Sequence, residues 1–162
     1  MNTELTLSEN ENTEAKSLPQ KYLVWLVGEQ RYAIKLSQVR EVIAMPPVTD
    51  LPVHHKTLKG VFNLRGKIIS VADLRDKLSC VRNHKSLKPF ILAIEIDGLE
   101  IGTIVDDVAE VMEIASHQIQ DDIESNTHLN ARREYVSGIV LRNEPQNDTT
   151  LILNMRCLME LN

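Results

Sequence analysis

The sequence predicts an all-β chain folded as two small, similar barrels packed together, and three observations support this. Short apolar runs rich in β-branched residues recur along the chain, as half-buried or buried strands require. Tight-turn glycines fall between them, at Gly28, Arg65-Gly66 and Asp97-Gly98. The chain also repeats itself. Shifted by 69 positions, residues 22–43 lie over 91–112 without a gap, so that Val39-Arg40-Glu41-Val42 meets Val108-Ala109-Glu110-Val111. A second echo sets residues 60–75 over 138–156, with Asp73-Leu74-Arg75 against Asn154-Met155-Arg156. Barrels remove most free sheet edges, which suits a chain with this many strands.

Residues 1–20 are polar and acidic, and Pro19 interrupts them; they read as a disordered tail, lacking the basic and apolar regions of a targeting peptide. The folded region is residues 21–162, two pseudo-repeated barrel subdomains, an arrangement that leaves room for the chain to cross back between them near its termini. Residues 22–27 and 31–35 form an opening hairpin around Gly28-Glu29-Gln30. From Leu36 the period changes: Leu36, Val39, Val42 and Ile43 recur at helical spacing, Ser37 can cap, and the helix stops before Pro46-Pro47. Residues 48–59 form a loop to the central unit, 60–78. There, residues 61–64 and 67–71 are strands joined at Arg65-Gly66, and Asp73 caps a helix running through Leu74 and Leu78. Residues 79–88 are a polar linker. Residues 90–96 and 99–105 form a hairpin around Asp97-Gly98. Val108, Val111 and Ile114 continue as a strand or a short helix, between which periodicity does not choose. Residues 116–133 are a long polar connection. Residues 135–141 and 150–153 are the last strands, and Asn154 caps a closing helix that buries Leu158 and Leu161.

Composition limits the chemistry. The chain has 162 residues, is 43% hydrophobic and carries a net charge of −5, enough for a substantial core but opposed to a phosphate-binding surface. With 4% aromatics, it also lacks the stacking face that a single-strand-binding barrel needs. Cys80 and Cys157 fit no paired motif and read as free thiols of a reducing compartment. No apolar run nears the roughly 20 residues that span a bilayer, so direct membrane insertion is not expected. The five histidines, at 54, 55, 84, 117 and 128, show no metal-ligand spacing. Asp106-Asp107 and Asp121-Asp122 read as a solvated acidic rim, because neighbours on a strand face opposite ways. No nucleophile elbow or phosphate-cradling glycine loop is present, so neither an enzyme nor a cofactor is expected. Two charged residues stand out. Arg65 is a guanidinium at a rigid corner, of the kind used as an interface anchor, and Glu41 lies between Val39 and Val42.

Together, Lys59-Gly60-Val61, Asn63-Leu64-Arg65-Gly66, Val71-Ala72-Asp73-Leu74-Arg75 and Val39-Arg40-Glu41-Val42 resemble the CheW family of chemotaxis coupling proteins, over about residues 22–161. The resemblance implies two SH3-like five-stranded barrels with a few short helices, and a non-catalytic scaffold without cofactor or metal. It implies a cytoplasmic adaptor, recruited to membrane receptor arrays by its partners. Those partners are the tip of a chemoreceptor and the regulatory domain of a CheA-type histidine kinase, and other CheW-like proteins in arrays are also allowed. In that family the groove between the barrels receives the receptor's helical hairpin, which assigns receptor binding to Arg65 and to a helix carrying Val39, Glu41 and Val42. Val108 takes the matching place in the second barrel. Ser70 departs from a proline common after the turn, and residues 118–133 match poorly, so kinase contacts are not assigned. No receiver domain follows Asn162, which disfavours the CheV variant. The same fold serves type IV pilus and other chemosensory-like pathways.

Overall fold

A computed structural model describes residues 18–52, 57–74, 77–78, 88–121, 133–142 and 148–159. Among these, eleven strands form two sheets. The first barrel takes β1 (Gln20–Val27), β2 (Gln30–Lys35), β9 (Asp107–Ile114), β10 (Val136–Arg142) and β11 (Asp148–Leu153), in the order β10-β11-β2-β1-β9. The second takes β3 (Val39–Ala44), β4 (Thr49–Asp50), β5 (Leu58–Leu64), β6 (Lys67–Ala72), β7 (Phe90–Ile96) and β8 (Leu99–Val105), in the order β3-β7-β8-β6-β5-β4. The sixth strand of this sheet is a two-residue piece separated from β3 by Pro46-Pro47, which have no N–H to donate to a ladder. Among the described residues a single α-helix, α1 (Met155–Met159), follows β11.

The shift of 69 positions carries β1, β2 and β3 onto β7, β8 and β9. Even the irregularities coincide. Val39 and Glu41 face Ile94 and Ala93 across a bulge, as Val108 and Glu110 face Trp25 and Val24. The second echo holds in the hydrogen bonds. Asp73 N–H donates to the Thr57 carbonyl at 2.9 Å ahead of β5, and Asn154 N–H donates to the Tyr135 carbonyl at 2.8 Å ahead of β10. Yet the two halves exchange a strand: β3 leaves the first hairpin to pair with β7, and β9 returns to pair with β1.

Because β1 and β7 each bury both faces, successive residues feed different cores. Tyr22 and Val24 point into the first barrel with Ala33, Val140 and Ile152. Ile91 joins Phe62, Ile69, Val71 and Ile104 inside the second. The alternate residues Leu23, Trp25, Leu92 and Ile94 meet in a third cluster with Leu74, Met155 and Leu158, drawn from both barrels and α1. The seam between the barrels is therefore filled with hydrophobic core. Lys77 straps it from the second barrel's side, donating to the Leu158 carbonyl at 2.8 Å and lying 5.7 Å from the Tyr135 ring centroid.

The structure corrects several sequence expectations. The helix read over Leu36, Val39, Val42 and Ile43 is a 3-10 turn, Leu36–Gln38, running into strand β3. Its residues alternate between half-buried and exposed, the two-residue period of a strand. A 3-10 turn entering a strand reproduces the i, i+3 and i+7 spacing that resembled a helix. The open choice at Val108, Val111 and Ile114 resolves as strand. The loop 48–59 contains β4, and the connection 116–133 contains a 3-10 turn, Ser116–Gln118, and a bridge from Gln120 to Ile139. Asp106 is not part of a solvated rim. It is 7% exposed, its carboxylate accepts the Gly28 N–H at 2.7 Å, and it pins the β1–β2 turn where the chain crosses between barrels. The capping predicted for Asn154 is present, with Cys157 N–H donating to Oδ1 at 3.3 Å. His54, His55, His84, His128, Cys80, Arg75, Asp122 and Leu161 lie outside the described residues, as do most of the expected linker and the N-terminal tail through residue 17.

Candidate functional site

The Asn63-Leu64-Arg65-Gly66 corner is a two-residue turn in which both central residues have positive φ, 51° for Arg65 and 86° for Gly66. Such a turn matches the right-handed twist of its flanking strands. Asn63 closes it, its Oδ1 accepting the Gly66 N–H at 2.8 Å. Gly66 enters this region without cost, but for an arginine it is unfavourable by about 1 kcal/mol or more. The Arg65 side chain projects into solvent at 76% exposure, and its Nη2 donates to Glu41 Oε1 at 2.7 Å. Glu41 reaches it from β3. Two residues 24 positions apart in sequence are thus joined into one charged corner. Val42, beside Glu41, is 40% exposed.

Val39 behaves differently. It is half-buried at the bulge and packs on the shared core, as does Val108. Of the residues singled out in the sequence, the structure brings together Glu41, Arg65 and the turn, while Val42, the next residue of β3, faces the opposite side of the strand from Glu41. It sets Val39 against the shared core and places Val108 on the other barrel.

The repeat places a second glutamate–arginine pair on the other barrel. Glu110, the counterpart of Glu41, accepts from Arg142 Nη1 at 2.7 Å, and Arg142 ends β10 as Leu64 ends β5. Arg31 also donates to Glu110. Val111, the counterpart of Val42, is 50% exposed. Sequence reasoning passed over Glu110, Arg142 and Val111, although the alignment of Glu41-Val42 with Glu110-Val111 was signal enough for two of them. The Arg31 hydrogen bond is the main force lowering the Glu110 carboxyl below its ordinary value, aided by the Arg142 charge and opposed by burial. A depressed folded-state pKa contributes stability above the unfolded value, lost as pH falls through the folded one. Glu110→Gln is therefore expected to flatten stability against pH below about pH 4.5 and to leave the slope above pH 6 unchanged, as read by urea midpoints across pH. An unchanged acid limb would show that the pairing carries no folding linkage.

An open cleft of about 520 Å³ survives at the rim of the seam, between the mouth of the first barrel, the β7–β8 turn and the start of α1. Arg65, Glu41 and Val42 do not line it. Among the described residues no cluster of three or more His, Cys, Asp or Glu side chains could hold a metal, and no helix is long and apolar enough to cross a membrane.

Two interlocked barrels, with a charged turn at Arg65-Gly66 and a charged strand end at Arg142, define a small β-barrel scaffold, a class whose chemistry lies in the surfaces it offers. Comparison with known proteins gives the family. Residues 21–161 match the CheW-like domain, and this chain belongs to that family. It is 26% identical over 149 residues to a probable chemotaxis protein CheW of Rhizobium etli, covering 90% of this chain and 89% of that one. It is 27% identical over 124 residues to the chemotaxis protein CheW of Klebsiella aerogenes, covering 76% and 74%. The crystal structure of the scaffolding protein TtCheW from Thermoanaerobacter tengcongensis superposes with a TM-score of 0.78 at 30% identity, covering 90% of both chains. The chain is a CheW-family scaffold with the two-subdomain SH3-like β fold.

Proposed function

We propose that this protein is a non-catalytic chemotaxis adaptor, coupling the cytoplasmic tips of chemoreceptors to a CheA-type histidine kinase. The observation that carries this reading is the Arg65–Glu41 corner at the Asn63-Leu64-Arg65-Gly66 turn, on a chain of the CheW family. A helical receptor tip lays apolar side chains against Val42, with Val39 anchoring the strand to the shared core, while the guanidinium of Arg65 supplies the directional charged contact. Glu41 holds that guanidinium in place before the partner arrives, reducing the ordering cost of binding. Val108 and its neighbours on β9 provide the matching contact on the first barrel. A separate surface holds the kinase, and moderate affinities combine when many copies share one array. The protein works in the cytoplasm and reaches the membrane through its partners.

Co-sedimentation tests the whole reading. The chain is expected to pellet with receptor cytoplasmic fragments, and to bring a CheA-type kinase into the pellet that receptor alone leaves in the supernatant. Kinase recovery that does not depend on the chain would sink the coupling role.

A further inference from the structure

The second barrel exposes an apolar pair that its fold does not need. Ile68 on β6 and Leu99 on β8 are 68% and 74% exposed, the highest values for large apolar side chains in any described strand. β6 and β8 run parallel with Ser70 beside Ile101, and the same register two residues earlier sets Ile68 beside Leu99. Ile69 faces the barrel core, so Ile68 faces outward. The first barrel supplies the control. There β11 and β2 pair in the equivalent parallel register, with Leu151 beside Tyr32, so the places of Ile68 and Leu99 fall to Thr149 and Gln30. Gln30 Nε2 donates to the Thr149 carbonyl at 3.1 Å. One barrel closes this position with a polar pair, while the other leaves two large aliphatic side chains to be covered by something else.

Charges flank the pair in a definite order. Because β6 and β8 are parallel, the turns that open them, Arg65-Gly66 and Asp97-Gly98, end side by side at one end of the sheet. In the strand order β7-β8-β6-β5, Asp97 lies on the far side of Leu99 and Arg65 on the far side of Ile68. Both side chains reach solvent, Arg65 at 76% and Asp97 at 60% exposure. The strip therefore runs carboxylate, leucine, isoleucine, guanidinium. Turned half a revolution about its centre, it sets guanidinium against carboxylate and aliphatic against aliphatic, so it is complementary to itself.

We propose that this strip is an isologous contact between two copies of the chain, with Ile68 and Leu99 of each packed on the same pair of the other and Arg65 of each set against Asp97 of the other. Two aliphatic side chains per copy supply only a small part of the roughly 800 Å² per partner of a stable interface, so the dimer is weak and reversible. Arg65 lies within the contact. One consequence rests on the receptor reading above: dimer and receptor exclude each other, and the free chain covers its receptor corner until a receptor tip displaces the second copy.

Sedimentation velocity of the full chain alone tests the contact, so its outcome is separate from that of the receptor reading. The weight-average sedimentation coefficient is expected to rise from monomer toward dimer over a roughly hundredfold concentration series. Ile68→Thr combined with Leu99→Gln, which imports the first barrel's residue types at exposed positions, is expected to weaken association by roughly tenfold or more. Arg65→Asp and Asp97→Arg, each alone, put like charges across the two-fold axis and are expected to sediment as monomers. An equimolar mixture of those two variants restores both opposite-charge contacts and is expected to associate. A chain that stays monomeric throughout the series, a dimer indifferent to the apolar double substitution, or a mixture no more associated than its components overturns the contact. If the chain stays monomeric and the double substitution instead costs binding of a receptor fragment, the strip belongs to that partner and not to a second copy.

Discussion

Trp25→Ala is expected to lower the unfolding free energy by roughly 3–5 kcal/mol, the range for truncating a fully buried aromatic. Trp25 is 1% exposed and belongs to the cluster shared by both barrels and α1. Its ring lies 6.2 Å from that of Tyr32, and across the strand it faces Val108 at the β9 bulge. The loss is a large part of the 5–15 kcal/mol that holds a domain of this size together. Since the cavity opens in the common core, both barrels should lose stability together. In the parent chain, Trp25 fluorescence and far-ultraviolet circular dichroism should report one coincident urea transition; in the variant, dichroism should show the same single transition at lower midpoint. A variant transition that splits into two steps, one at the parent midpoint, would show that the barrels are independently stable and the shared cluster is not a common core.

Arg65→Glu is expected to weaken binding of a receptor-tip fragment by more than tenfold while moving the unfolding free energy by no more than about 1 kcal/mol. The binding effect is large because the change does more than delete a contact. It puts a carboxylate next to Glu41, now 2.7 Å from the Arg65 guanidinium, and turns a pre-oriented cation into a like-charge pair facing the partner. The stability effect is small because Arg65 is mostly exposed, buries no core surface, and leaves the same backbone turn to be formed. Isothermal titration and thermal melts on one preparation separate the two. Parallel loss of binding and stability would make Arg65 a structural residue, and unchanged binding would remove it from the interface.

Much of this architecture is written locally. The runs that became β1, β2, β7 and β8 could be read because their residues carry β propensity and their turns contain glycine where positive φ is needed, at Gly28 and Gly98. The corner at Arg65-Gly66 was legible for the same reason. Misreading residues 36–43 as a helix came from a real ambiguity: a short 3-10 turn followed by a bulged strand imitates helical spacing over seven residues, and only the ladder to β7 decides between them. Asp106 was misjudged because its partner, the Gly28 amide, lies 78 positions away.

What the sequence by itself determined is the inventory: paired strands, their turns, the internal repeat, and an arginine fixed at a hairpin tip with the family resemblance around it. Tertiary structure alone decided which strand goes with which barrel, and so which charges meet. β3 and β9 carry the same local pattern and the same bulge, so nothing in either strand's own residues says that β3 should join β7 and β9 should join β1. Only burial of the shared core, where Trp25, Ile94, Leu74 and Leu158 close the seam from both sides, selects that exchange, and the exchange brings Glu41 to Arg65 and Glu110 to Arg142.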